Sequence, residues 1–203
     1  MGTYRGSIPK LGGREDNMIG YALCGSFCTI SDSLAELERL VSEKYEVQAI
    51  MSERVYSTST RFFDKDVLIK RIEKITGRHP IHTVEDAEPF GSRYPLSALI
   101  IAPCTGNTLA KLATGITDSS VTMAAKAHLR SDRPLLIALA SNDAMSQNLK
   151  NIGALITRKS VYFVPMSQDE PFGKPHSLVA DFSRLGESFL AMLESRQIRP
   201  LFT

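Results

Sequence analysis

The chain has 203 residues, 43% hydrophobic and 23% charged, with 13 Gly and 10 Pro, a balance that excludes a disordered or collagen-like polymer and suits one globular domain. Lys and Arg number 24 against 22 Asp and Glu, a net charge of +2; without a basic run or interleaved aromatics, this argues against nucleic acid as a partner. No apolar stretch approaches the roughly 18 residues that a spanning helix needs, so no membrane segment is expected.

Residues 1–17 are polar, rich in Gly and Arg, and expected to form a flexible tail ahead of a single domain at 18–203. The first strand is predicted at 18–24 (MIGYALC), followed by the small-residue loop Gly25-Ser26. Ser33 and Glu36 have the spacing of a capping box, and Leu34, Leu37 and Val41 mark the apolar face of a helix. A second strand follows at 47–51, then a polar stretch at 52–61. Leu68, Ile72 and Ile75 predict a helix that Gly77 ends in a left-handed turn. The segment 78–94 contains Pro80 and Pro89 and reads as loop, with a brief strand near Ile81.

The run 98–102 (ALIIA) is uniformly apolar, as a strand buried on both faces must be. Helices are predicted at 108–114, closed by Gly115, and from Ser120 to Leu129. Strand signals recur at 134–140 (PLLIALA) and 161–164 (VYFV), with a helix at 145–156 between them. Phe182, Leu185, Phe189 and Leu193 form the stripe of a last helix. Five parallel strands alternating with helices predict an α/β three-layer sandwich around a doubly wound, flavodoxin-like parallel sheet.

In such a sheet ligands bind beyond the carboxyl ends of the strands. Those ends carry Gly25-Ser26, then Ser52, then Thr105-Gly106-Asn107-Thr108, then Ser141-Asn142-Asp143. Small hydroxyl, amide and glycine groups suit a phosphate and polar ring edges; the same residue types are also favoured as helix caps. Asp143 reads equally as a base, a ligand for hydroxyls or a cap. Cys24, Cys28 and Cys104 are odd in number and too few for a disulfide framework, which fits a reducing cytoplasm. Cys24 and Cys28 lack the further ligands of a zinc site, so no metal is expected. No G-x-G-x-x-G follows the first strand, so a Rossmann-type nicotinamide site is not expected. His79, His82, His128 and His176 are scattered.

The run 102–118, APCTGNTLAKLATGITD, resembles the A-P-x-[ST]-x-N-T-x-A-K-x-A-x-G-x-x-D segment of the flavoprotein family that contains the flavin-dependent cysteine decarboxylases. More narrowly, STSTRF at 57–62, TDS at 117–119, MAAKA at 123–127, SNDA at 141–144, YFVP at 162–165 and QDEP at 168–171 are similar to one branch of that family. Its members work with a larger, nicotinamide-binding subunit to oxidise dihydrodipicolinate to dipicolinate in the mother cell of a sporulating bacterium.

The resemblance implies FMN held at the interface of a homo-oligomer. Gly25, Ser26, Ser52, Thr105, Asn107 and Thr108 are the matching contact positions, and Ser141 and Asn142 extend that rim. Where the decarboxylases carry a catalytic histidine before a phenylalanine, this chain has Arg61-Phe62, and their P-x-M-N motif is replaced by Ser141-Asn142-Asp143. An arginine cannot shuttle a proton near neutral pH, so the decarboxylase mechanism is not carried over. A guanidinium does bind carboxylates through paired hydrogen bonds. Arg61, with Asn107 and Asp143, is therefore a candidate for the dicarboxylate substrate, although a solvent-exposed arginine fits the same position. A stand-alone FMN-dependent decarboxylase or prenyl transferase, and a non-catalytic, partner-binding protein, are the alternatives.

Overall fold

The computed structural model describes residues 18–203; the expected N-terminal tail lies outside the described residues. β1 (Met18–Leu23) pairs in parallel with β2 (Glu46–Met51) on one side and β3 (Ala98–Cys104) on the other. β3 pairs in parallel with β4 (Leu135–Ser141), and β4 with β5 (Val161–Phe163). The parallel order β2-β1-β3-β4-β5 is the doubly wound, flavodoxin-like arrangement expected from the sequence.

Strand alternation divides the core in two. Tyr21, Leu23, Ile100, Ala102, Leu136 and Ala138 face one side. That side is covered by α1 (Ile30–Ser42), α3 (Lys65–Thr76) and α8 (Leu185–Leu193), with α2 (Glu53–Ser57) lying between β2 and α3. Ala22, Leu99, Ile101, Leu135, Ile137 and Leu139 face the other. There they meet α4 (Val84–Ala87), α5 (Gly106–Thr114), α6 (Ser120–Leu129) and α7 (Leu149–Ile156). A two-residue period with both faces apolar requires helices on both faces, because either face left bare exposes a hydrophobic sheet. Among the described residues no helix is long and apolar enough to cross a membrane.

Several local expectations are corrected. The chain enters α1 through a 3-10 turn at Phe27–Thr29, so Ser33 lies inside the helix rather than at its cap. Its hydroxyl donates to Ala102 O at 2.5 Å, and Tyr21 Oη donates to Ser33 O at 2.8 Å. β3 and β4 lose register between Ile101 and Cys104, and the Ser33 hydroxyl serves the Ala102 carbonyl within that interval. Ser33→Ala is therefore expected to cost about 1 to 3 kcal/mol, since it leaves a buried carbonyl unpaired, and the loss is read as a lower urea midpoint.

α5 begins at Gly106 and α6 is capped by Ser119 in a reciprocal box with Thr122. The segment 78–94 holds α4 and a 3-10 turn at Glu88–Gly91, while Ile81 bridges Ile50 as anticipated. The helix expected from residue 145 starts at Leu149. Beyond β5, β6 (Met166–Ser167) and β7 (Leu178–Ala180) form an antiparallel extension joined to β4, which the all-parallel reading omitted.

Candidate functional site

The carboxyl ends of β1, β2, β3 and β4 meet on one rim. Past β1, Cys24 N donates to Pro103 O at 3.1 Å, which ties the Cys24–Ser26 loop to the end of β3. Ser52 N donates to Leu23 O at 3.0 Å, which ties in β2. Thr108 Oγ1 donates to Cys24 Sγ at 3.4 Å. Thr105 caps α5 by accepting from Thr108 N at 3.2 Å. The first-turn N–H groups of Gly106 and Asn107 have no intrahelical partner and mark the positive end of the helix dipole.

A knot of polar groups past β4 closes the other side. Asp143 Oδ1 accepts from Ser141 Oγ at 2.5 Å, and Asn148 Nδ2 reaches both carboxylate oxygens at 2.8 and 2.9 Å. Asn148 Oδ1 accepts in turn from Asn151 Nδ2 at 2.8 Å. The Ser141 hydrogen bond, supported by that of Asn148, holds the Asp143 carboxyl below the usual carboxylate range. A Cβ on Gly106 would stand 2.6 Å from Asn148 Nδ2 and 2.7 Å from Asp143 Oδ1, so the start of α5 lies directly against the knot. Residues 25, 105 and 141 therefore share one edge, as the sheet topology requires.

The corner between β1 and β2 is rich in donors. Ser52 Oγ is buried and has no hydrogen-bond partner among the described residues. Ser26 Oγ accepts from Thr29 Oγ1 at 3.2 Å and makes a long contact of 4.0 Å with Cys28 Sγ. The one carboxylate in this corner is turned away: Glu53 Oε1 accepts from Ser120 N at 2.9 Å, at the start of α6. Ser120 Oγ donates to Met51 O at 2.7 Å and fixes that helix end to β2. Gly25 is half-buried, and an added Cβ there would stand 3.6 Å from the Phe27 ring and 3.7 Å from Arg54 Cγ, an ordinary contact distance. A buried hydroxyl without an acceptor among the described residues beside a half-buried glycine loop fits a phosphate-sized anion.

The other candidates are placed less centrally. Arg61 is exposed and its guanidinium lies 4.9 Å from the centre of the Phe62 ring. Its loop is held to the rim through Phe63, whose ring packs 5.8 Å from that of Phe27. Asn107 and Asn142 are exposed. Burial pushes the Cys24 thiol up to about 11 and Cys104 well above its ordinary value, so neither is a ready thiolate nucleophile at neutral pH. Among the described residues no group of His, Cys, Asp and Glu side chains could hold a metal ion.

Sequence reasoning missed Glu53 and Asn148, and named Gly106 and Ser120 without the contacts they make here. Asn148 carried no signal of its own, because it matters only through Asp143.

Comparison with known proteins gives a consistent set. The flavoprotein family matches residues 10–182. The B subunit of dipicolinate synthase from Bacillus subtilis (strain 168) is 40% identical over 183 residues, covering 90% of this chain and 92% of the relative. The flavin prenyltransferase UbiX of Chlamydia pneumoniae is 27% identical over 135 residues, covering 64% and 69%. Among solved structures, the B subunit of dipicolinate synthase from Bacillus halodurans superposes with a TM-score of 0.85 at 38% identity, covering 92% of this chain and 96% of that one. The FMN-dependent cysteine decarboxylase SpaF shares the fold, with a TM-score of 0.62 at 20% identity over 89% and 97% of the two chains.

Proposed function

The chain belongs to the flavoprotein family, and from that premise we propose that it is the FMN-binding component of a dipicolinate synthase. In this reading it works with a larger, nicotinamide-binding partner, as a homo-oligomer in the cytoplasm of the mother cell, to oxidise dihydrodipicolinate to dipicolinate. The observation that carries the reading is the likeness to a known dipicolinate synthase component along most of both chains. Aromatising a dihydropyridine removes a hydride and a proton, and FMN, when bound, supplies a two-electron acceptor.

What this chain's own residues do follows from their chemistry. Gly25, Ser26 and Ser52 offer donors to a phosphate, with the unpartnered Ser52 hydroxyl the strongest support for an anion there. Thr105, Asn107 and Thr108, with Ser141 and Asn142, line the rim toward ribityl chain and ring. Asp143, held as carboxylate by Ser141 and Asn148, accepts from an N–H or O–H group. It is a poor base at neutral pH, because a carboxyl with a lowered pKa has little affinity for a proton. The same fixed charge disfavours a substrate carboxylate at the start of α5 and directs it toward Arg61 on the opposite side of the rim. Stand-alone decarboxylase or prenyl transfer chemistry is the weaker reading, because Arg61 cannot take the place of a proton-shuttling histidine.

The test is reconstitution. Purified chain is expected to quench FMN fluorescence, and dipicolinate, followed by its ultraviolet absorbance, is expected to form only when the chain is mixed with the nicotinamide-binding partner and dihydrodipicolinate. Dipicolinate formation by that partner at the same rate without this chain overturns the catalytic role.

A further inference from the structure

We infer that Arg54 is the cation of the phosphate corner and gives this chain its selectivity for a phosphorylated flavin over the unphosphorylated one; the inference rests on the flavin reading above. Arg54 sits in the first turn of α2, two residues beyond Ser52. Its Cγ lies 3.7 Å from where a Cβ on Gly25 would stand, so the arginine stem runs along the glycine of the β1 loop. The guanidinium is exposed and makes no hydrogen bond or ion pair among the described residues. Glu53, its neighbour in sequence, accepts from Ser120 N and forms no ion pair with Arg54 among the described residues.

Around Gly25 the unsatisfied groups are therefore of one kind. Ser52 Oγ is a buried donor with no acceptor among the described residues, Ser26 Oγ is held only by a long 4.0 Å contact with Cys28 Sγ and by accepting from Thr29 Oγ1, and Arg54 brings a planar fork of N–H donors. A phosphate monoester, with three acceptor oxygens and negative charge, complements such a set of donors. Arg61, the arginine singled out from sequence, differs in this respect: its guanidinium already rests on the Phe62 ring. The geometry thus divides the two cations, with Arg54 for the phosphate and Arg61 left to the substrate side.

The experiment is a fluorescence titration of wild type, Arg54→Gln, Arg54→Lys and Arg61→Gln with FMN and, separately, with riboflavin, which has the same ring and no phosphate. Arg54→Gln is expected to weaken FMN binding about 10- to 100-fold, the range of a lost charged hydrogen bond. Its riboflavin affinity is expected to match wild type, and its FMN affinity to lose most of its dependence on salt. Arg54→Lys should fall between, and Arg61→Gln should bind both flavins as wild type does. Arg54 is exposed, so unchanged circular dichroism and thermal midpoints are expected throughout. Wild type that prefers FMN, with Arg54→Gln keeping that preference, overturns the assignment of Arg54 and leaves the flavin reading standing. Wild type that binds neither flavin overturns the flavin reading, and Arg54 with it.

Discussion

Gly106→Ala is expected to lower unfolding stability by about 2 to 4 kcal/mol, the combined range for overpacking a rigid site and breaking buried hydrogen bonds, and to abolish ligand binding at the rim. The reason is the knot past β4. The added carbon falls within 2.7 Å of Asp143 Oδ1 and 2.6 Å of Asn148 Nδ2, and closer still to Ser141 Oγ. These are not the free ends of long side chains: Ser141 and Asn148 are buried, and both are hydrogen-bonded to the same carboxylate. Relieving the clash means either breaking that arrangement or moving the start of α5, with the Gly106 and Asn107 N–H groups of its first turn. Gly153 is the internal control, because it is also helical yet a Cβ there meets nothing within 4 Å. Gly153→Ala is expected to raise stability by up to about 1 kcal/mol through helix propensity and loss of unfolded-state freedom. The double variant Gly106→Ala, Ser141→Ala removes the nearest contact and should recover part of the loss in urea unfolding. Equal stability of the two single variants would show that the start of α5 does not bear on the knot.

The parallel sheet was legible because each of its central strands is apolar on two faces, which only a doubly covered sheet needs. β3 and β4 are buried at every position, and their sequences, ALIIAPC and LLIALAS, state this directly. The antiparallel extension was not legible. β6 has two residues and β7 three, too short for any period to show, and their pairing with β4 is a long-range outcome of where the chain turns after β5. Ser33 shows a different limit. The S-x-x-E spacing that suggests a cap is a local signal, and it could not reveal that a 3-10 turn had already begun the helix or that Ala102 O needed a donor.

The site was legible at the level of which strand ends are polar, and illegible at the level of how those ends satisfy one another. Ser141 and Asp143 were visible as residues, but the bidentate hold of Asn148 on Asp143, which decides that this carboxylate stays ionised, crosses five positions of irregular chain. Arg54 lay in a polar stretch with no periodicity, and only the short α2 places its stem on Gly25. Polar character at a strand end is written in composition; the sign of the charge that ends up facing the ligand depends on which acidic groups are diverted elsewhere, as Glu53 is.

Acid is expected to weaken the fold through His128, well before the carboxylates titrate. The side chain is fully buried at the end of α6, and its Nε2 is 2.9 Å from Pro134 O, to which it donates as Nε2–H. Nδ1 is buried without a partner among the described residues, and Arg133 adds a positive charge nearby. A second proton at Nδ1 would create a buried cation beside another cation. Desolvation first, and the Arg133 charge as a lesser contribution, push the pKa from 6.5 down to about 4. The sign follows from proton binding. Above pH 6.5 folded and unfolded chains are both neutral at this residue and stability is complete. Between 6.5 and about 4 the unfolded chain takes up a proton that the folded chain refuses, so stability falls as pH falls. At about 1.4 kcal/mol per pH unit, the loss across that window is on the order of 3 kcal/mol and is complete below it. Urea unfolding at intervals from pH 7.5 to 4.5 is expected to show this slope in wild type, while His128→Gln, which keeps a donor and cannot be protonated, should be less stable at pH 7.5 but nearly flat down to 4.5. A variant whose stability falls as steeply as that of wild type would place the acid-sensitive group elsewhere.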